Sequence, residues 1–266
     1  MSRLAVVGAG VMGETIVAGL VAAGWEPEQL VAVDRYQPRV DEVVGRHGIG
    51  SAASIAAAVA DADAVLLAVK PQDAVGVLAE IGPAIRPGAV LVSICAGLTA
   101  STIEAALPVG TPVVRVMPNT PAKVGEGVSA ISAGSAATPE HLELAAALLG
   151  SVGKVVTVPE AYQDAVTAVS GSGPAYVFYV VEAMVDAGVL LGLPRDVATT
   201  LAVQTVYGSA KLLVETGEHA GRLREQVTSP GGTTAAALGV LDAHGVKAAF
   251  AAAMEAARDR SRELAG

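Results

Sequence analysis

Leu4-Ala5-Val6-Val7-Gly8-Ala9-Gly10-Val11-Met12-Gly13 decides the fold. Four apolar residues of strand character run into a Gly-x-Gly-x-x-Gly turn, and helical spacing follows over 11–23. Each glycine has its own task. Gly8 makes the tight turn, Gly10 lets backbone approach a diphosphate, and Gly13 packs helix on strand. The helix N-terminus, from Val11 and Met12 onward, faces the phosphates. The spacing alone is a weak signal. A second strand ending at Asp34 strengthens it, and a glycine turn without a ligand is the alternative.

Outward from this turn, strands and helices alternate as far as residue 160. Strands are expected at Leu4–Val7, Leu30–Asp34, Ala64–Val69, Ala89–Ile94, Pro112–Met117, Val128–Ala133 and Val155–Val158. Helices are expected near 11–23, 38–46, 51–60, 72–81, 99–107 and 138–150. Runs apolar on both faces imply a doubly wound, mostly parallel α/β sheet covered by helices. After Pro159 no convincing strand remains, and segments near 161–191, 195–216, 219–227, 233–243 and 245–264 read as helices. The expected domains are therefore 1–160, a dinucleotide-binding Rossmann domain, and 161–266, all helical. The last two helices are rich in alanine, which gives a thin core and points to packing against a second subunit; helix propensity alone is the alternative.

Composition narrows the function. Of 266 residues 52% are apolar and 16% charged, enough for a core and too few charges for disorder. The net charge is −9, with nine basic against fifteen acidic side chains up to residue 160 and eight against eleven after it. Neither half is basic, which argues against nucleic acid or an anionic membrane as partner. One cysteine, Cys95, excludes a disulfide framework, and four scattered histidines indicate no metal. No run of about 18 residues lacks polar or breaking residues, so no membrane span is expected. The start shows no secretory pattern, and a cytoplasmic location is the expectation.

Further candidate residues lie where open α/β sheets bind ligands, after the C-terminal ends of strands. Asp34 sits where an acidic residue holds the adenosine ribose of NAD, whereas Arg35 could face the 2′-phosphate of NADP or stack on adenine. Ala68-Val69-Lys70-Pro71 and Cys95-Ala96-Gly97 form two more turns; Lys70 is a phosphate or ribose contact or a solvated lysine, and Cys95 a small buried residue or a reactive thiol. In Met117-Pro118-Asn119-Thr120-Pro121 two prolines make a rigid loop that either presents Asn119 to a nicotinamide or merely turns. Thr167 through Ser170-Gly171-Ser172-Gly173-Pro174 puts breakers into a helical region, at a cost of about 3 kcal/mol for the proline and about 1 for each glycine. Such a break suits backbone approaching a ligand, or a packing corner. Thr228-Ser229-Pro230-Gly231-Gly232-Thr233-Thr234 leads into a helix whose free N–H groups form a carboxylate site, or which is simply capped.

These motifs, in this order, resemble the pyrroline-5-carboxylate reductase family over nearly the whole chain. The resemblance is carried by Gly8–Gly13, Ala68–Gln72, Met117–Pro121, Thr167 with Ser170–Tyr176, and Val227–Thr234. It implies reduction of (S)-1-pyrroline-5-carboxylate to L-proline by hydride from NADPH or NADH, the final step of proline biosynthesis. It implies a C-terminal substrate-binding and dimerisation domain, with homodimers assembling into a decamer. It places the substrate carboxylate on Gly231, Gly232, Thr233 and Thr234, with Ser229 beside them, from the partner subunit. It places Thr167 near the imine nitrogen and makes Asn119 and Lys70-Pro71 cofactor contacts. Many members carry a neutral polar residue where Asp34 stands and an asparagine near Ser54-Ile55, so the family's usual NADPH preference is weakened here.

An iminium carbon is already electrophilic, so alignment and exclusion of water suffice, with Thr167 donating a hydrogen bond or relaying a proton. A β-hydroxyacid dehydrogenase, the rival enzyme, needs a lysine or histidine to take a hydroxyl proton. Lys211, Lys247, His219 and His244 all lie far in sequence from the Ser170–Pro174 break. A dinucleotide sensor without turnover is the third reading.

Overall fold

The structure is a computed structural model that describes residues 3–265. Its chain forms two compact units. One runs to Ser172 and takes up the chain again from Ala257; the other is Gly173–Ala256.

The first unit is built on an eight-stranded sheet: β1 (Leu4–Val7), β2 (Leu30–Val33), β3 (Gly50–Ser51), β4 (Ala64–Leu67), β5 (Val90–Ser93), β6 (Val113–Met117), β7 (Gly127–Ala133) and β8 (Gly153–Thr157). The order is β3-β2-β1-β4-β5-β6-β7-β8, and every pairing is parallel except the antiparallel β6–β7. Strand order reverses between β1 and β4, which opens a crevice at their C-terminal ends. Alternate residues of one strand feed opposite faces. Leu4 and Val6 join a core with α1 (Val11–Ala22), α2 (Gln37–His47) and residues of a later helix at 139–150. Ala5 and Val7 join a second core with α3 (Ile55–Val59), α4 (Pro71–Ile81) and α5 (Ala100–Glu104). This is why the central strands read as continuous apolar runs.

Two sequence expectations differ in detail. The helix expected over 51–60 shortens to α3, because Ser51 pairs with Ala32 as the two-residue edge strand β3 and Ser54 caps the helix from its side chain. The polypeptide from 160 to 172, helical as expected, packs on the sheet. Glu160 takes hydrogen bonds from the Arg115 guanidinium at 3.0 Å and the Ala100 N–H at 2.7 Å. Gln163, only 1% exposed, donates to Ser132 Oγ at 2.7 Å.

The remaining helices are α6 (Pro139–Gly150), α7 (Gln163–Val166), α8 (Gly173–Leu190), α9 (Arg195–Thr216), α10 (Ala220–Gln226), α11 (Thr233–Ala243) and α12 (Val246–Ala265). A π-helical turn, Thr167–Gly171, joins α7 to α8. It resolves the conflict posed by Gly171, Gly173 and Pro174: the wider turn carries the helical run through the breakers. The result is a continuous stretch, Glu160–Leu190, that with Arg195–Thr216 is long and apolar enough by length and composition to cross a membrane. This corrects the expectation of no such segment, which asked for a run of about 18 residues free of polar and breaking residues, whereas mean hydropathy over the helix meets the length and composition of a span. Inside the second unit the buried core is Val185, Ala198 and Ala202. Phe178 and Tyr179 stand 66% and 73% exposed in the single chain.

Candidate functional site

The glycine turn performs its three tasks in the backbone. Gly8 has φ +107°, and a Cβ there would sit 2.6 Å from the Ala68 carbonyl oxygen. A Cβ on Gly13 would collide with the Gly8 carbonyl oxygen. A Cβ on Gly10 would meet nothing within 4 Å. The turn is therefore tight at Gly8, close-packed at Gly13 and open at Gly10, as a diphosphate cradle requires. Gly10 begins α1 without a side-chain cap, so the first-turn N–H groups remain available to an anion.

Around this turn lies a cleft of about 930 Å³ at the C-terminal ends of β1, β2 and β4. Of the residues singled out from sequence, Gly8, Gly10, Asp34, Arg35, Ala68, Val69 and Lys70 line it together. Val11, Met12 and Gly13 form the first turn of α1, and Pro71 opens α4 with Lys70 as its N-cap. Ser54 and Ile55, where many family members carry an asparagine, are also in the lining, as is Tyr36, which was not singled out.

Asp34 lines the cleft and also reaches back to the glycine turn. Its carboxylate accepts from the Ala9 N–H at 2.8 Å and from the Tyr36 N–H at 3.0 Å. Arg35 is exposed and pairs with Asp73 at 3.1 Å. Arg39 lines the cleft, and sequence reasoning missed it: its Nε donates to the Ala9 carbonyl at 2.9 Å, and its guanidinium pairs with Glu14 and Glu42. Burial opposes the charge on Glu14, but hydrogen bonds from Arg39 and His47 and the charges of Arg39 and Arg46 hold its carboxyl below the usual range. The one available signal was Glu14 itself, the sole charged residue of α1.

Further along the sheet, Cys95 is buried and its Sγ donates to the Val69 carbonyl at 3.2 Å. Burial pushes the thiol up, which removes it as a thiolate nucleophile at neutral pH. Ala96 is exposed beside it, and Gly97 takes φ +77°, where a Cβ would lie 3.2 Å from the Leu264 carbonyl oxygen. Asn119 is engaged at both ends of its carboxamide: Oδ1 accepts from the Val128 N–H at 2.9 Å and Nδ2 donates to the Ser170 carbonyl at 3.2 Å. It thereby ties the sheet to the π-helical turn. Thr167 opens that turn with its hydroxyl donating to the Gln163 carbonyl at 2.9 Å.

In the second unit, Gly231 takes φ +69°, and the Gly232 N–H donates to the Ser229 carbonyl at 3.0 Å. Ser229 Oγ occupies the place of a Gly232 side chain. Gly232 begins α11 with no side-chain cap, so the first-turn N–H groups there have no capping side chain.

A Rossmann sheet with a diphosphate cradle and an appended helical unit defines a dinucleotide-dependent oxidoreductase of two-domain build. Residues 160–264 match the family model described as pyrroline-5-carboxylate reductase dimerisation, and residues 3–97 the one described as NADP oxidoreductase coenzyme F420-dependent. A pyrroline-5-carboxylate reductase of Mycobacterium tuberculosis is 45% identical, over 99% of this chain and 97% of its own. One from Methanosarcina acetivorans is 45% identical over 98% and 97%. The solved structure of a pyrroline-5-carboxylate reductase from Coxiella burnetii superposes with a TM-score of 0.96 at 34% identity, covering 100% of this chain and 99% of that one. That of the Plasmodium falciparum enzyme with NADP bound gives 0.86 at 29%, covering 100% and 98%. The chain belongs to the pyrroline-5-carboxylate reductase family.

Proposed function

We propose that this chain reduces 1-pyrroline-5-carboxylate to L-proline with NAD(P)H, the final step of proline biosynthesis. The full-length likeness to reductases of that name carries the reading. The open space at Gly10 supports it, because that is where a diphosphate needs room.

In this reading Gly8, Gly10 and the N–H groups of Val11, Met12 and Gly13 hold the diphosphate. Asp34 and Arg35 border the adenosine, Ala68, Val69, Lys70 and Pro71 the ribose, and Ala96, Gly97 and Asn119 the nicotinamide side. When bound, the reduced nicotinamide supplies a hydride to the carbon of the C=N bond. The chain's own residues orient and shield. Thr167 spends its proton on Gln163, so its oxygen keeps lone pairs to accept from the iminium N–H. Ser229, Gly231, Gly232, Thr233 and Thr234 hold the substrate carboxylate through the uncapped helix end. The helical part of the chain from 161 to 266 binds substrate and pairs with a second copy, which covers Phe178 and Tyr179. Dimers assemble further into a decamer, and the enzyme works in the cytoplasm, with neither membrane nor nucleic acid as partner. A net charge of −9 supports the last point.

Steady-state kinetics with NADH and NADPH side by side test the reaction. Oxidation of either should appear only when pyrroline-5-carboxylate is supplied. Turnover with a 3-hydroxyacid instead would reverse the reading, and tight dinucleotide binding with neither substrate consumed would make the protein a sensor.

A further inference from the structure

The glycine turn is gripped from outside itself. Its Gly8 N–H donates to the Val33 carbonyl at 2.8 Å, which extends the β1–β2 ladder by one rung. Its Ala9 N–H donates to Asp34 Oδ2 at 2.8 Å, and its Ala9 carbonyl accepts from Arg39 Nε at 2.9 Å. Two successive peptide planes, Gly8–Ala9 and Ala9–Gly10, are thus fixed by side chains from the end of β2 and the first turn of α2. A trans peptide carries its N–H opposite its C=O, so holding the Ala9 carbonyl also aims the Gly10 N–H. The grip is itself braced. The Arg39 guanidinium pairs with Glu14 and, at 2.8 Å, with Glu42, and Glu14 also pairs with Arg46 and lies 3.4 Å from His47. The Arg39 and Glu14 side chains are 24% and 14% exposed.

We propose that Asp34 and Arg39 are positioning residues of the diphosphate turn, and that Asp34 serves NADH and NADPH alike rather than selecting NADH by holding the adenosine ribose. The inference rests on the reading of the cleft as a dinucleotide site. Both oxygens of Asp34 are engaged by backbone donors, Oδ2 by Ala9 and Oδ1 by Tyr36. A carboxylate recruited to the turn contributes to every ligand that bears a diphosphate, whatever its 2′ substituent. Discrimination between the cofactors then falls to other groups of the cleft, of which Arg35 is exposed beside it.

The test is a binding titration of the purified protein with NADH and NADPH, followed by nicotinamide fluorescence and so independent of turnover. Asp34→Ala should weaken both cofactors by about tenfold or more, the scale of a lost charge-assisted hydrogen bond, with their affinity ratio kept within about threefold. Asp34→Asn, which keeps one acceptor, should recover part of the loss for both. Arg39→Met should weaken both in parallel from the other side of the same peptide, and carries the test if Asp34→Ala does not fold. Loss of NADH affinity alone, a gain for NADPH, or no change in either overturns the proposal. A protein that binds both cofactors yet never consumes pyrroline-5-carboxylate would sink the proposed reaction and leave this inference standing.

Discussion

At Gly10 and Gly13 the same substitution separates binding from folding. Gly10 has φ −65° and free space, so Gly10→Ala should melt with the wild type while its Kd for NADPH rises at least tenfold. Gly13→Ala drives a methyl into the Gly8 carbonyl and should cost about 1–3 kcal/mol of stability by denaturant titration. Thr167→Val keeps the shape and removes the hydroxyl; kcat should fall about a hundredfold with dinucleotide affinity unchanged. Glu14 carries a pH signature. Its carboxyl is held below the usual range in the folded chain, so the charged form contributes stability above the unfolded pKa, and the contribution disappears as pH falls through the lower, folded value. The Tm difference between wild type and Glu14→Gln should accordingly be full at neutral pH and shrink toward zero in acid. The glycines were legible from sequence because each task depends on backbone within a few residues. The partner of Asp34 was not, because it depends on how closely the end of β2 approaches a turn twenty-five residues earlier.

Among the elements, the π-helical turn shows what propensity can and cannot say. Two glycines and a proline announced a departure from regular helix at 170–174. They did not announce that the departure would be a widened turn instead of an end, because that choice is made by tertiary partners. Asn119 grips the Ser170 carbonyl, Ser172 donates to the Thr167 carbonyl at 2.8 Å, and Met117 fills the space beside Gly171. Asn119→Asp keeps the acceptor for Val128 but sets a carboxylate against the Ser170 carbonyl. It should lower kcat and raise the KM for pyrroline-5-carboxylate more than it changes the Kd for NADPH. The opposite split would mean that Asn119 acts mainly through its place on the nicotinamide side and not through the turn it braces. The strands were read well, since buried parallel strands are continuous apolar runs. The exceptions were β3, whose two residues carry no apolar pattern, and the antiparallel turn-back at β7, whose direction no residue pattern encodes.

For the whole molecule the question is what the helical unit lacks. Three buried apolar residues are a small core for Gly173–Ala256, and by itself such a core does not offset the entropy of ordering that much chain. Thermal unfolding should therefore depend on protein concentration, with Tm rising as the solution is made more concentrated, and Phe178→Glu should abolish that dependence and yield monomers by sedimentation. The alanine-rich sequence foretold the thin core; which faces stay bare was legible only once α8 and α9 were seen packed along one side. The hidden Cys95 makes this measurable by light. As the chain's one sulfhydryl it is shut away from maleimide dyes, so a Glu143→Cys variant offers a single attachment point on the exposed face of α6. Mixing donor-tagged and acceptor-tagged copies would then report subunit exchange as energy transfer, with no background thiol to engineer away.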